Sequence, residues 1–176
     1  MRFKTAFAMP SPWTFEIPPI GAFVDRWLAG GGVSVDPFCG HSKRATYSND
    51  MSQGGVDAEY YMESLHKSGV IADVLLFDPP YSPRQISECY KKVGRKVVMA
   101  DTQNAAFYKR ARNAARKVLR PGGIALSFGW SSCGFGVSWD VLEILLVRHG
   151  GAHNDTICVA QRSPALFRES TGCAYA

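Results

Sequence analysis

The chain has 176 residues, of which 46% are hydrophobic and 20% charged, so a single domain can bury a core of its own. The five cysteines are odd in number and never spaced as Cys-x-x-Cys, which argues against a disulfide framework and against a metal site; we read them as reduced thiols. No apolar run reaches the roughly 20 residues of a membrane span and the start of the chain lacks a signal peptide, so we expect a cytoplasmic protein with no membrane partner.

Strand-like runs alternate with helix-like runs, which predicts an α/β domain with mostly parallel strands. The elements of the first half are a strand at Val33-Ser34-Val35, a weak strand ending at Tyr47-Ser48-Asn49-Asp50, a helix from Ala58 to Lys67 and a strand from Ala72 to Phe77. Ligands bind beyond the carboxyl ends of the strands in open α/β sheets. We therefore expect the polar turns after these three strands to meet in one crevice.

The second half predicts a helix that covers the sheet and three further strands. The helix runs from Asn104 to Leu119 with apolar residues at helical spacing, and Arg120-Pro121-Gly122-Gly123 ends it. Strands follow at Ile124 to Phe128, Val141 to Val147 and Thr156 to Ala160. The last two are expected to form a β-hairpin at the sheet edge. The result is a doubly wound, mostly parallel twisted sheet with an antiparallel C-terminal hairpin and helices on both faces.

The turn Asp78-Pro79-Pro80-Tyr81 directly follows the apolar run that ends at Phe77. Neither proline has a backbone N–H, so the turn presents carbonyl oxygens and the Asp78 carboxylate without a competing donor from the prolines. Acceptors that take the hydrogens of an exocyclic amino group would localise its lone pair and stabilise the charge that develops during attack on a methyl group. Tyr81 would stack on the ring. An ordinary strand-exit turn is the alternative reading.

With these residues the chain resembles the S-adenosylmethionine-dependent amino-methyltransferases, in particular the small adenine-specific DNA methyltransferases of phages and prophages. The resemblance spans roughly residues 10 to 162 and is carried by Thr14 to Ile20, Asp36-Pro37-Phe38-Cys39-Gly40, Asp50, Asp78-Pro79-Pro80-Tyr81 and His149 to Thr156. It implies one methyltransferase domain over residues 1–176 without a separate target-recognition domain, and methyl transfer to N6 of adenine in DNA. RNA adenine, N4 of cytosine, and a non-catalytic relic that binds cofactor or nucleic acid remain open.

The resemblance also implies how S-adenosylmethionine would be held. Around the methionine end the implied contacts are Asp36, Pro37, Phe38, Cys39 and Gly40, with Ile17, Pro18 and Ile20 packed on the methionine moiety. Asp50 would bind the ribose hydroxyls, Met51 would lie beside the adenine, and Glu63 would lie near the adenine amino group. Asp78 would lie next to the reacting methyl group. The alternatives are a turn residue for Asp50, a solvated helix face for Glu63 and plain core for the N-terminal stretch. One departure is Ser42, which stands where the family usually has a second glycine.

The segment from Ser82 to Lys96 is the candidate for nucleic-acid binding. Its candidate contacts are Arg84, Gln85, Tyr90, Lys91, Lys92 and Arg95. A solvated basic loop or helix is the alternative. If the segment does not bind, the loop from Gly129 to Trp139, with Trp130, Phe135 and Trp139, is next in line. The net charge of +5 suits an anionic partner without proving one. We read His149 and the other loop histidines as loop or surface residues.

Overall fold

The computed structural model describes residues 1–95, 104–130 and 134–165. The strands of this part are β1 (Arg2–Phe7), β2 (Ser34–Asp36), β3 (Tyr47–Ser48), β4 (Ala72–Phe77), β5 (Leu119–Gly129), β6 (Asp140–Arg148) and β7 (Thr156–Arg162). The α-helices are α1 (Pro18–Leu28), α2 (Ala58–Lys67), α3 (Pro83–Lys92) and α4 (Asn104–Val118). Two short 3-10 turns lie at Thr14–Glu16 and Met51–Gln53. Lys96, the last residue of the predicted basic segment, lies outside the described residues, as do Cys133 and Cys173.

Local sequence explains where two of the helices begin. The Asp57 side chain accepts from the Glu59 backbone N–H at 3.0 Å and caps α2, whose predicted range is confirmed. Ser82 caps α3 in the same way, accepting from the Gln85 N–H at 3.2 Å, and Pro83 occupies the first helical position. The positions of both helix starts therefore follow from the short polar residue that precedes them.

The strands form one sheet in the order β1-β6-β7-β5-β4-β2-β3, in which β7 alone runs antiparallel to its neighbours. The chain leaves β2 for β3 on one side and returns to β4 on the other. The strand order reverses between β2 and β4, and such a switch point leaves a crevice at the carboxyl ends of the strands. The predicted mostly parallel sheet is confirmed.

Two hydrophobic layers sandwich the sheet. On one face α1 contributes Ile20, Phe23 and Val24 to a cluster with Leu76 and Leu126. On the other face the predicted apolar stripe of α4, including Ala111, Ala115 and Val118, packs with residues of α2 and β4. Successive residues of β4 enter opposite clusters, which is the alternation expected of a strand buried on both faces. Helices on both faces are thereby confirmed.

The hairpin prediction is wrong in its position. The β6 and β7 strands do pair antiparallel, but β7 lies between β5 and β6, and β1 pairs in parallel with the outer side of β6. The strand that closes the sheet therefore comes from the N-terminus. Arg120 to Gly123, expected to end a helix, already belong to β5, whose Leu119 pairs with Ala72 across a register irregularity.

His149 lies in the loop after β6, as predicted, but it is buried and not on the surface. Its Nδ1 lies 2.8 Å from the Ala8 carbonyl oxygen and its Nε2 lies 2.9 Å from Thr156 Oγ1. The ring thus joins the end of β1 to the β6–β7 connection. Across the described ranges, no helix has the length and apolar character needed to cross a membrane.

Candidate active site

A cavity of about 490 Å³ opens at the carboxyl ends of β2, β3 and β4. Most of its wall comes from Pro12 to Glu16, the loop from Pro37 to Ser42, the turn from Asp50 to Ser52, and Asp78 to Tyr81 with the adjoining face of α3, and residues 56–58 at the start of α2 add to it. The polar turns after the three strands thus meet in one crevice, as the strand order predicted.

Asp78 lies in the cavity wall, at the point where β4 ends. The Tyr81 hydroxyl donates to Asp78 Oδ1. Burial raises the pKa of Asp78 to about 6, although hydrogen bonds from the Tyr81 and Thr14 hydroxyls act in the opposite direction. Asp78 is therefore a carboxylate at neutral pH that lies close to its titration range.

The turn that carries Asp78 is held from two sides. The Tyr81 backbone N–H donates to Gln85 Oε1 at 2.6 Å, which fixes the turn to the start of α3. The Tyr108 hydroxyl of α4 donates to the Pro80 carbonyl oxygen. Neither proline offers an N–H, and the Pro80 carbonyl oxygen already accepts from Tyr108. The acceptors that the turn retains for a ligand are therefore the Asp78 carboxylate and its other carbonyl oxygens.

Asp36 lies directly behind the cavity, at the end of β2. It is fully buried, and its Oδ1 accepts from the Phe38 N–H at 3.1 Å. Its Oδ2 has no hydrogen-bond partner within the described part of the chain. Burial first, and then the nearby Asp78 and Asp50 carboxylates, raise the pKa of Asp36 well above its ordinary value. A buried acceptor without a partner is suited to a cationic or donor group of a ligand.

The loop after β2 is shaped around Trp13. Gly40 has a φ of +53°, and a Cβ at this position would lie 2.8 Å from the Trp13 ring, so that only glycine seats the indole here. The Trp13 ring also meets His41 edge-on, with centroids 4.1 Å apart. Ser42 borders the cavity, and its N–H donates to the Cys39 carbonyl at 2.8 Å. The serine at the usual glycine position is thus accommodated in a turn of the loop.

Asp50 borders the cavity beside Met51 and makes three hydrogen bonds within the protein. Its Oδ2 accepts from the Gly40 N–H at 3.0 Å, and its Oδ1 accepts from the N–H and the hydroxyl of Ser52 at 2.8 and 2.5 Å. Asp50 therefore stabilises the turn, as its alternative reading describes. Oδ1 thus accepts two hydrogen bonds and Oδ2 one, which leaves a lone pair of Oδ2 for a ribose hydroxyl, and this role of Asp50 stays a prediction.

Several predicted cofactor contacts lie away from the cavity. Ile17 and Ile20 are buried in the hydrophobic cluster under α1, and Pro18 is the exposed first residue of that helix. The physical reason is that the N-terminal stretch coils into a helix at Pro18, so that the wall comes from the residues just before it. Glu63 pairs with Lys117 at 2.9 Å on the outer face of α2. Ile17 and Ile20 thus lie in the core and Glu63 on a helix face, as their alternative readings describe, whereas Pro18 is exposed and matches neither reading.

Trp13 and Tyr108 are site residues that the sequence did not reveal. Trp13 precedes the stretch that carries the resemblance, and Tyr108 lies on a helix that was predicted only to cover the sheet. Neither position has a local pattern that distinguishes it from a core aromatic residue. Only their contacts with Gly40 and with the Pro80 carbonyl identify them.

The predicted nucleic-acid segment forms helix α3, and part of it serves the fold. Tyr90 is buried and donates to Asp57 Oδ2 at 3.2 Å. Arg95 lies 4.4 Å from the Tyr90 ring centroid and pairs with the same carboxylate at 3.3 Å. Arg84 pairs with Glu88 on the exposed face. Two more of the predicted basic residues, Lys91 and Lys92, end the helix, and Lys92 borders the cavity.

The second loop that was considered for target recognition offers one aromatic side chain. Phe135 and Trp139 are buried and stack on each other with centroids 4.6 Å apart, so the expectation that they are available to a nucleic acid is wrong. Trp130 is 37% exposed and meets the Tyr81 ring edge-on at 5.2 Å. Among the described residues, no group of three or more His, Cys, Asp or Glu side chains is arranged to hold a metal.

The cavity fits S-adenosylmethionine in size and in chemistry. Small-molecule sites commonly have volumes of about 300 to 1,000 Å³. The cofactor is cationic at sulfur and at its amino group, and the carboxylates of Asp50, Asp57 and Asp78 border the cavity, with the unpartnered Asp36 oxygen behind it. Phe38 and Met51 provide apolar wall for a purine ring. The donor and acceptor set therefore suits a cationic nucleoside.

Comparison with solved structures identifies the fold. The structure is similar to a putative methyltransferase, yhhF, from Escherichia coli, with a TM-score of 0.51 and 12% identity over 89% of this chain and 92% of that chain. The N-methyltransferase NodS from Bradyrhizobium japonicum WM9 aligns over 85% of this chain and 97% of that chain, at 11% identity and a TM-score of 0.46. The sequence matches no protein-family model and no curated protein. The similarity to yhhF shows a shared Rossmann-like methyltransferase fold.

Proposed function

We propose that this protein transfers a methyl group from S-adenosylmethionine to the N6 amino group of adenine in DNA. The observation that carries the proposal is the position of Asp78-Pro79-Pro80-Tyr81, which directly follows the interior strand β4 and lines the cavity at the switch point of the sheet. The fold shared with a putative methyltransferase supports methyl transfer in general. Adenine is preferred to cytosine because an aspartate leads the turn, as the resemblance implies.

The cofactor and the target base would occupy different parts of the cavity. When bound, S-adenosylmethionine would supply an electrophilic methyl group. The loop from Pro37 to Gly40, together with Asp50 and Met51, would hold it at the ends of β2 and β3. The hydrogen bond from the Gly40 N–H to Asp50 keeps these two parts of the wall together before any ligand arrives.

Asp78 would act on the amino group that receives the methyl. Its carboxylate would accept an amino hydrogen, localise the nitrogen lone pair and stabilise the positive charge that develops on nitrogen. A pKa of about 6 leaves Asp78 ionised at neutral pH and yet basic enough to accept the proton that nitrogen loses. Tyr81 and its edge-on neighbour Trp130 would flank the base.

DNA would approach across α3. Lys91 and Lys92 end this helix, and Lys92 borders the cavity, so that both can meet the phosphates on either side of an extruded nucleotide. Tyr90 and Gln85 hold the helix and the catalytic turn in place instead of reading bases. Loop and helix residues of this kind would contribute to target choice.

The deciding experiment is methyl transfer from radiolabelled cofactor to matched duplexes. One duplex contains adenine, a second carries N6-methyladenine at every adenine, and a third set replaces DNA by RNA of the same sequence. We expect label in the first alone, recovered as N6-methyl-2′-deoxyadenosine on digestion and mass spectrometry, and none with Asp78→Ala.

The other outcomes separate the alternatives. Label in N4 of cytosine or in RNA would replace adenine DNA as the substrate while keeping the enzyme class. Cofactor binding by calorimetry without transfer to any nucleic acid would indicate a non-catalytic binding protein. Absence of cofactor binding would overturn the proposal altogether.

A further inference from the structure

The outer edge of β1 carries a row of exposed apolar side chains. In the described part of the chain, β1 pairs with β6 alone, so the backbone groups of its other edge have no strand beside them. Met1, Phe3, Phe7 and Met9 are 83%, 61%, 62% and 70% exposed. An uncovered edge strand with large apolar residues is a site for pairing with another chain.

These apolar side chains share one face of the sheet. The alternate residues Ala6 and Ala8 pack against the hydrophobic cluster under α1. Arg2 and Lys4 each lie 3.5 Å from the buried carboxylate of Glu143 on that same face. Because successive side chains of a strand point to opposite faces, the odd-numbered residues lie on the other face.

The apolar face continues onto β6. Phe3 and Thr5 stand beside Ile144 and Leu146 in the parallel register, and both of these β6 residues are half-buried. The uncovered surface is therefore a strip two strands wide along this edge of the sheet.

The odd-numbered row reads Met1, Phe3, Thr5, Phe7, Met9, which is the same in both directions about Thr5. An antiparallel pair of identical strands centred on Thr5 would place Phe3 opposite Phe7 of the other copy, and Met1 opposite Met9. A two-fold interface pairs residue i with residue j and j with i, and in this register every pair of the odd-numbered row joins identical residue types. We propose that β1 is the interface of a homodimer, in which two copies pair edge to edge in this register and join their sheets into one.

The charges of the other face favour the same register. Centred on Thr5, the pair places Lys4 opposite Ala6 and Arg2 opposite Ala8 of the other copy. Moving the centre of the pair from Thr5 to Lys4 places Lys4 opposite Lys4 of the other copy. Moving it on to Phe3 places Lys4 opposite Arg2. Directly opposed like charges destabilise a strand pair. Moving the centre in the other direction, to Ala6, places Phe7 opposite Thr5 and Phe3 opposite Met9, so that both Phe3–Phe7 pairs are lost.

The area available is sufficient for a weak dimer. A large apolar side chain contributes roughly 150 to 250 Å² when fully buried, and four such residues of each copy are at least 61% exposed. The two copies could therefore bury on the order of 1,000 Å², which is near the lower limit for a specific interface. We therefore expect a dissociation constant in the micromolar range. This interface lies at the opposite edge of the sheet from β3 and does not depend on the proposed function.

Sedimentation velocity over a concentration series tests the dimer. Wild type should shift from monomer to dimer, and Phe3→Glu should raise the dissociation constant roughly tenfold or more, because a carboxylate would be buried opposite Phe7. Ile71→Glu is the matched control, since Ile71 is also 61% exposed but lies at the start of β4. Circular dichroism and thermal unfolding establish that both variants fold.

Two further variants test the register. Phe7→Lys alone should weaken the dimer, whereas combining it with Phe3→Glu should recover part of the loss, because opposite charges would then face each other. Thr5→Cys should form a disulfide across the two-fold axis under mild oxidation, since directly opposed strand residues have suitable separations. Tyr60→Cys, on the exposed face of α2, serves as the control.

Wild type that remains monomeric at about 0.5 mM, far above a micromolar dissociation constant, would overturn the proposal. So would a dimer that is unchanged by Phe3→Glu and is not cross-linked through Thr5→Cys, because a different surface would then be responsible.

Discussion

The Gly40 backbone N–H donates to Asp50 Oδ2 at 3.0 Å, and this hydrogen bond joins the loop after β2 to the turn after β3. The two segments are ten residues apart in the chain and form adjoining parts of the cavity wall. Asp50 therefore shapes the cavity whether or not it also contacts a ligand. A useful substitution has to separate these two roles.

Asp50→Ala is expected to weaken cofactor binding by roughly 1.5 to 3 kcal/mol, because a ligand would lose a charged hydrogen-bond acceptor. Asp50→Asn is the matched variant, since its amide oxygen can still accept a backbone N–H while the charge is gone. Calorimetry gives the affinities and thermal unfolding gives the stabilities. If Asn restores both stability and affinity, Asp50 acts through the turn alone.

Asp78→Ala should reduce kcat by a factor of 100 or more, which corresponds to about 3 kcal/mol of lost transition-state stabilisation. Cofactor affinity and thermal stability should change little, because the predicted role of this carboxylate is toward the target amino group. Single-turnover methylation rates and calorimetry on the same preparation provide the two readouts. Turnover close to that of wild type would rule out the proposed role of Asp78.

Methyl transfer should decline as the pH falls through about 6, because the Asp78 carboxylate becomes protonated there and loses acceptor capacity. The measurement is the single-turnover rate between pH 5 and 8, with cofactor and DNA saturating. A rate that is constant across this range would contradict the role of the carboxylate.

The raised pKa of Asp78 also makes the free energy of unfolding depend on pH, in the opposite direction to the methyl-transfer rate. The folded pKa of about 6 lies above the ordinary value of 3.8, so the folded protein binds this proton more tightly than the unfolded chain does. The contribution of Asp78 to the free energy of unfolding therefore rises as the pH falls from about 6 to about 4, by on the order of 1 to 3 kcal/mol. Denaturant titrations of wild type and Asp78→Asn should differ in slope against pH across this window.

Lys91→Ala combined with Lys92→Ala should weaken DNA binding and reduce the slope of log affinity against log salt by up to about two units, one for each phosphate contact. Lys67→Ala with Lys109→Ala removes the same charge from exposed positions on α2 and α4 and serves as control. Fluorescence anisotropy at several salt concentrations measures the slopes. Equal slopes in the two double variants would assign the end of α3 to solvated surface.

Much of the architecture follows from short-range signals in the sequence. The range of α2 is confirmed from its periodicity, and β4 matches its apolar run from Ala72 to Phe77. The apolar stripe of α4 is buried as its spacing predicts. These signals are local, because capping and side-chain periodicity act within a few turns of a helix or a few residues of a strand.

The N-terminal third shows where local signals are insufficient. Residues 2–7 become the edge strand β1 only because β6, more than 130 residues later, offers a free edge. Apolar residues such as Ile17 and Ile20 suit either a cofactor contact or the core. The helix that begins at Pro18 directs them into the core, and Trp13 and Thr14 form the cavity wall instead. Strand pairing of this kind depends on residues distant in sequence, and periodicity does not encode the partner.

Residue patterns were enough to find the polar turns after the strands, since the turn residues Asp36, Asp50 and Asp78 follow recognisable apolar runs or motifs. What surrounds these turns follows only from the fold: the burial that raises the pKa of Asp78, the Tyr108 hydroxyl on Pro80, and the ion pair between Glu63 and Lys117 on the helix surface. The physical reason is that desolvation and hydrogen-bond geometry are set by neighbours brought together across the fold, whereas turn chemistry is carried by consecutive residues.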